Sequence, residues 1–227
     1  MSQETKLIYR IKYTKGESVK YISHLDFLRS VNRSFKRGKI PVKYSNGFNP
    51  HVLLNIALPC PVGVSSVCEL LDIELYEKMD CEEIKNRLNS ALPVGIEALE
   101  VTERGDQKDF FEISSALYAV EFKSEKEIDV KKFIDEPEFM IEKKSKRGMK
   151  EVNIKDFVRQ IQLKSAEGNK YMLNFCIDAG AKSNLKPELL LNAMASYFDT
   201  KNLINWQKIN KFKSNTGCFN APGIFML

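Results

Sequence analysis

An α+β fold of two tandem ferredoxin-like (βαββαβ) domains with antiparallel sheets is the architecture this sequence predicts. Three observations point to it. Segments that alternate apolar and polar residues, as half-buried strands do, are interleaved with segments of helical periodicity. In the first half their order is strand, helix, two or three strands, helix, strand, which is a split βαβ pattern. The second half repeats that order without visible sequence identity. The 227 residues therefore divide into a first domain at 1–104, a polar linker at 105–115 and a second domain at 116–227. A single larger α+β domain is the alternative.

Each element has a local cause. LIYRIKY (7–13) alternates and reads as a strand; a turn follows at Gly16. A helix is predicted over 24–37, with Ser23 as N-cap and Asp26 reaching back to its backbone N–H in a capping box. Leu25, Leu28, Val31 and Phe35 form its apolar stripe, and Gly38 is placed to end it in a left-handed turn. PVKY (41–44) is extended, SNGFNPH (45–51) is a turn-rich loop, and VLLNIAL (52–58) has strand length. CELLDIELYE (68–77) puts Leu71, Ile73 and Leu75 on one face and Asp72 and Glu74 on the other. Asp80 caps a helix over 81–92 with Ile84, Leu88 and Leu92 inward, and GIEALEVTE (95–103) closes the domain. Phe110 and Phe111 are the linker residues able to dock.

In the second half, ALYAVEFK (116–123) is a strand and VKKFIDE (130–136) a short helix after Asp129. Residues 139–155 form a hairpin turning near Arg147-Gly148, and 157–165 pairs with 171–178 across Glu167-Gly168. Pro187 opens a helix over 187–198, with Leu190, Leu191, Met194 and Phe198 inward. WQKINKFK (206–213) is the final strand.

Composition excludes several classes. Apolar residues are 43% and charged residues 29%, which argues against disorder. No apolar run approaches the ~20 residues of a spanning helix, and MSQETKLIYRIKY has no hydrophobic signal core. The expectation is a cytoplasmic protein without membrane contact. Cys60, Cys68, Cys81, Cys176 and Cys218 show no zinc-type spacing, and reduced thiols are expected. With two histidines, His24 and His51, no metal site is predicted. GxGxxG, P-loop and HExxH patterns are absent, which counts against nucleotide-dependent and zincin chemistry.

Charge is unevenly spread. Residues 1–60 carry eleven Lys and Arg against three acids, residues 61–104 four against ten, and the remainder is +3. On the 24–37 helix, Arg29, Arg33, Lys36 and Arg37 share one face, opposite Leu28, Val31 and Phe35. No acid occurs between 27 and 68. Such a face suits a phosphate backbone, because each cation replaces a condensed counterion. In Ser45, Asn46, Gly47, Phe48, Asn49 and His51, the glycine and asparagines tolerate positive φ, so backbone N–H groups can form an anion nest. Phe48 is suited to stacking on a base, or to anchoring in the core. His24 and His51 are the candidate catalytic groups, each able to move a proton. A Ser23-His24-Asp26 triad is not credible, since consecutive helix-start residues point in different directions. KKSKRGMK (143–150) places five cations on a hairpin tip, suited to a nucleic-acid groove or to a lysine-protected edge.

The run from Tyr21 to Leu75 resembles the core of the radical-SAM-linked family, a bacterial domain of unknown function. The shared features are His24-Leu25-Asp26, the cations from Arg29 to Arg37, Pro41-Val42, the loop from Ser45 to His51 and the step from Pro59 to Ser66. NIKDFVRQIQL (153–163) and AKSNLKPELLLNAM (181–194) resemble the family's second half. Where the family has an arginine in the last strand, this chain has Lys211 or Lys213. The resemblance implies a free-standing member without the fused enzyme half. It therefore implies no cofactor of its own, a radical SAM protein as partner and, by gene association, a link to RNA.

Three functions follow as expectations. The first is a non-catalytic RNA-binding or adaptor module for tRNA or rRNA maturation or for a radical SAM enzyme. The second is a metal-independent endoribonuclease using His24 or His51. The third is a protein-interaction domain that sets its basic face on an acidic partner.

Overall fold

The computed structural model describes residues 6–107, 109–124, 126–145, 148–180, 182–199 and 204–213. It is α+β with antiparallel sheets, and the chain forms two compact units, Met1–Phe110 and Phe111–Leu227.

The first unit runs β1 (Leu7–Lys15), α1 (His24–Arg37), β2 (Leu54–Ala57), β3 (Ser65–Leu75), α2 (Cys81–Ala91) and β4 (Ile96–Glu103). Its sheet order is β4-β1-β3-β2, antiparallel throughout. Period-two alternation sends Tyr9, Ile11 and Tyr13 of β1 and Leu71, Ile73 and Leu75 of β3 into the core. There they meet Phe27, Val31 and Phe35 of α1 and Ile84 and Leu88 of α2. The expected strand over 52–58 shortens to β2, and the extended 41–44 segment makes only isolated bridges, Val42 to Leu75 and Tyr44 to Val52.

Two details of α1 correct the sequence reading. Its buried face is Phe27, Val31, Ser34 and Phe35, whereas Leu25 is 62% exposed and Leu28 only half-buried. The inward place is taken by Phe27, which stacks on Tyr13 with ring centroids 5.3 Å apart, while Leu25 faces outward. Gly38 ends the helix in right-handed geometry, φ −74°, and the left-handed residue is Lys39 at φ 52°. Close approach explains the glycine: a Cβ there would lie 2.8 Å from the Arg87 carbonyl oxygen on α2.

The second unit runs β5 (Ser115–Ser124), α3 (Val130–Asp135), β6 (Met140–Ser145), β7 (Gly148–Asn153), β8 (Val158–Glu167), β9 (Lys170–Asp178), α4 (Pro187–Tyr197) and β10 (Ile204–Lys213). Its sheet order is β10-β5-β9-β8, again antiparallel, and β6 and β7 form a separate hairpin. Asp80 and Asp129 cap α2 and α3 through their side chains, and Pro187 opens α4. Phe198 is only half-buried; Ala193 and Ala195 complete the α4 core face. In the linker region Arg10 lies 4.3 Å over the Phe110 ring, while Phe111 is exposed.

Cys60, Cys68 and Cys81 are free. Cys176 is disulfide-bonded, which corrects the expectation of reduced thiols. Arg147 and the side chains of Lys144, Lys211 and Lys213 lie outside the described residues, as do Lys146 and Cys218. Among the described residues no helix is long and apolar enough to cross a membrane.

Candidate nucleic-acid interface

The basic face of α1 exists because its opposite face is committed to the core. Ser23 caps the helix, its hydroxyl oxygen accepting from the Asp26 N–H at 3.1 Å. The Asp26 carboxylate does not form the expected box with the backbone. It accepts from the Ser23 hydroxyl at 2.7 Å and pairs with Arg29 at 2.9 Å. These two bonds hold its carboxyl below the usual range, the Ser23 bond contributing most.

The four predicted cations therefore differ in kind. Arg29 is exposed but paired. Arg37 donates to the Ala91 carbonyl and, at 3.2 Å, to the Ser34 hydroxyl. It satisfies the C-terminal end of α2, where a cation also suits the helix dipole. Arg33 and Lys36 are exposed, and their side chains make no ion pair or hydrogen bond to any described residue. Farther along, Lys43 is taken up by Glu74 at 2.9 Å.

The 45–51 loop is a closed structure. The Ser45 N–H donates to the His51 carbonyl at 2.8 Å, the His51 N–H donates to the Ser45 hydroxyl oxygen at 3.1 Å, and that hydroxyl lies 2.8 Å from His51 Nδ1. Gly47 turns the tip at φ 122°. Asn46, Gly47, Phe48 and Asn49 are exposed. Phe48 is as exposed as a residue can be, 105% of its reference area, so it is not a core anchor. Four residues separate Arg37 from Val42, which bridges Leu75 at the end of β3, and Lys43 and Leu53 bond Glu74 beside it. The end of α1 and the loop thus both adjoin the C-terminal end of β3.

His24 lies elsewhere. It is exposed in the first turn of α1 and lines a small cavity with Tyr13, Lys15, Phe27, Pro59 and Cys60. Pro59 and Cys60 follow β2, whereas His51 precedes it. β2 therefore keeps the two imidazoles at opposite ends, and the fold does not bring them together.

Beside that cavity sits a polar cluster the sequence reading missed. Lys15 is 4% exposed and Glu69 fully buried. Lys15 Nζ donates to the Lys20 carbonyl at 3.1 Å, and the Ser66 hydroxyl donates to Glu69 at 2.8 Å. Tyr13, opposite Glu69 in the ladder, has its phenol pushed well above the ordinary value, first by burial, then by the Glu69 charge and by Cys60. The available signal was parity: Lys15 continues Tyr9, Ile11 and Tyr13, and Glu69 precedes Leu71 and Ile73 on the inward face.

The second-unit hairpin is less available than its charge implies. Lys143 Nζ donates to the Asn184 carbonyl at 2.6 Å and sits 4.1 Å over the Phe157 ring, and burial lowers its pKa. Lys150 is exposed. Among the described residues no cluster of His, Cys, Asp and Glu is arranged to hold a metal ion.

No curated protein matches the chain. Two solved structures resemble it. A chain of a Cbf5-Nop10-Gar1 complex aligns at 12% identity and TM-score 0.42, covering 70% of this chain and 40% of that one. A chain of an H/ACA RNP bound to a substrate RNA containing 2′-deoxyuridine aligns at 11% identity and TM-score 0.48, covering 91% and 47%. This chain spans less than half the length of either. The family relationship is firmer, since one family's pattern matches residues 8–187, most of the chain. The chain belongs to the bacterial family DUF2344, whose description is "Uncharacterized protein conserved in bacteria".

Proposed function

We propose that the first unit is an RNA-binding module that grips phosphates with the exposed face of α1 and presents the bound RNA for maturation. One observation carries this reading: Arg33 and Lys36 are exposed and without a partner among the described residues, in a stretch with no acid between residues 27 and 68. Ion pairs and caps use up Arg29 and Arg37; the two remaining cations have counterions to release. The closed 45–51 loop near the same end of β3 supplies polar and aromatic contacts. We read both units as ferredoxin-like, supported by the parallel sheet orders β4-β1-β3-β2 and β10-β5-β9-β8, with 105–115 as linker. A radical SAM enzyme as the recipient rests on the sequence resemblance alone, as does a cytoplasmic setting on composition.

The test is fluorescence anisotropy of labelled total tRNA and an rRNA fragment against the purified chain, in EDTA, at low and physiological salt. Each sample is then run on a denaturing gel. Salt-sensitive binding of intact RNA supports the proposal. Absent or salt-insensitive binding overturns it, and discrete cleavage replaces it with the endoribonuclease reading, to be tested by His24→Ala and His51→Ala.

A second reading, an acidic protein partner, is favoured by exposed Tyr21 and Leu25 at the start of the same helix region. Under that reading a pull-down recovers the same partner after nuclease treatment.

A further inference from the structure

An exposed aromatic side chain is ordinary when it stands at a flexible tip, but Phe48 does not. Its loop is pinned at the neck by the three Ser45–His51 contacts and by the Tyr44–Val52 bridge. Gly47 fixes the turn at a positive φ that other residues rarely adopt. The neck sets where the tip stands, and at that tip the ring is fully exposed. Leaving a phenylalanine in water forgoes the stabilisation that burial of its ring would give. A closed loop that holds the ring out has already met the ordering cost that a flexible loop would incur on binding.

The surroundings narrow the occupant. Asn46 and Asn49 flank the ring and are exposed, offering amide donors and acceptors rather than further apolar area. That pairing is poorly suited to a lipid surface, where neighbouring apolar groups would be needed. The unpaired cations Arg33 and Lys36 belong to the helix that ends beside the same end of β3. An aromatic face, amides and phosphate-binding cations together form the usual grip on an unstacked nucleotide.

We infer that Phe48 is a stacking platform for an unpaired RNA base, so that the module selects single-stranded or loop nucleotides over continuous duplex. This inference rests on the RNA reading above and deepens it. A duplex has both faces of every internal base occupied by its neighbours, so Phe48 gains nothing there and only the α1 cations contribute. A single strand engages both.

The experiment compares a 2-aminopurine-labelled single-stranded RNA with a blunt duplex of equal length, using the full chain, Phe48→Ala and Phe48→Trp. The native chain is expected to prefer the single strand and to quench 2-aminopurine fluorescence on binding. Phe48→Ala should weaken single-strand binding by about five- to 150-fold, the range seen for one base–aromatic stack. It should abolish the quench and leave duplex affinity unchanged, and Phe48→Trp should retain the quench. If the native chain binds neither RNA, the RNA reading itself falls. If it binds RNA but Phe48→Ala binds equally well, or loses single strand and duplex alike, the stacking inference is overturned while the RNA reading stands.

Discussion

Removing Arg33 and Lys36 together separates binding from stability on a single helix. Both side chains are exposed and make no bond to a described residue, so Arg33→Ala/Lys36→Ala should leave the unfolding free energy measured in urea within about 0.5 kcal/mol of the parent. Each cation that meets a phosphate on single-stranded RNA contributes about 0.7 to the slope of log K against log salt. The pair therefore contributes about 1.4. Between 50 and 200 mM salt the native chain should lose about sevenfold more affinity than the double variant. Arg29→Ala should have a smaller effect, because Asp26 at 2.9 Å already neutralises that charge. Arg37→Ala should do the reverse of the pair. It removes the donor to the Ala91 carbonyl and costs about 1–2 kcal/mol of stability, while changing the salt slope little. The assay is anisotropy at four salt concentrations beside urea unfolding. An unchanged slope in the double variant, or a slope change confined to Arg37→Ala, would refute the division of the four cations.

Gly38→Ala places a Cβ 2.8 Å from the Arg87 carbonyl. It should cost about 1–3 kcal/mol by overpacking, although φ −74° suits alanine; a neutral or stabilised variant in urea would show that the helices separate easily. Tyr13 gives a pH dependence. Its phenol is raised in the folded state, so below about pH 10 both states hold the proton and stability is unaffected. Above that value the unfolded chain loses the proton first. Stability should then fall by up to about 1.4 kcal/mol per pH unit until the folded phenol ionises. Tyr13→Phe should show a shallower alkaline decline in urea midpoints, and equal declines would count against burial as the cause.

The order of elements was legible because each is announced locally. Alternation marks β1 and β3, and side chains of Ser23, Asp80 and Asp129 cap the helices they precede. What escaped was set by contacts between elements. Gly38 reads as a left-handed stop, yet its glycine is demanded by the backbone of α2. Arg37 reads as one of four equivalent cations until α2 places Ala91 beside it. Lys15 was missed because the strand was ended at Tyr13. The ladder continues two residues farther through an irregularity between Tyr13 and Lys15, and parity then carries a lysine inward. In the candidate site, the loop sequence shows that a turn exists, but not that Ser45 and His51 close it or that Phe48 is held outside.

The two histidines bear most on the choice between grip and cleavage. General acid–base cleavage by two imidazoles needs both within reach of one phosphate. Here β2 stands between them. His51 has Nδ1 tied to the Ser45 hydroxyl in the neck of the loop, so its nearest service is to hold Phe48 in place. His24 faces a cavity shared with Lys15 and Cys60, away from the loop and from the free cations. A cleavage mechanism would therefore have to run on one histidine alone, either His51 in the loop beside the end of α1 or His24 beside Lys15. Binding makes no such demand: the unpaired cations of α1 and the ring of Phe48 each contribute where they stand, and their effects should add.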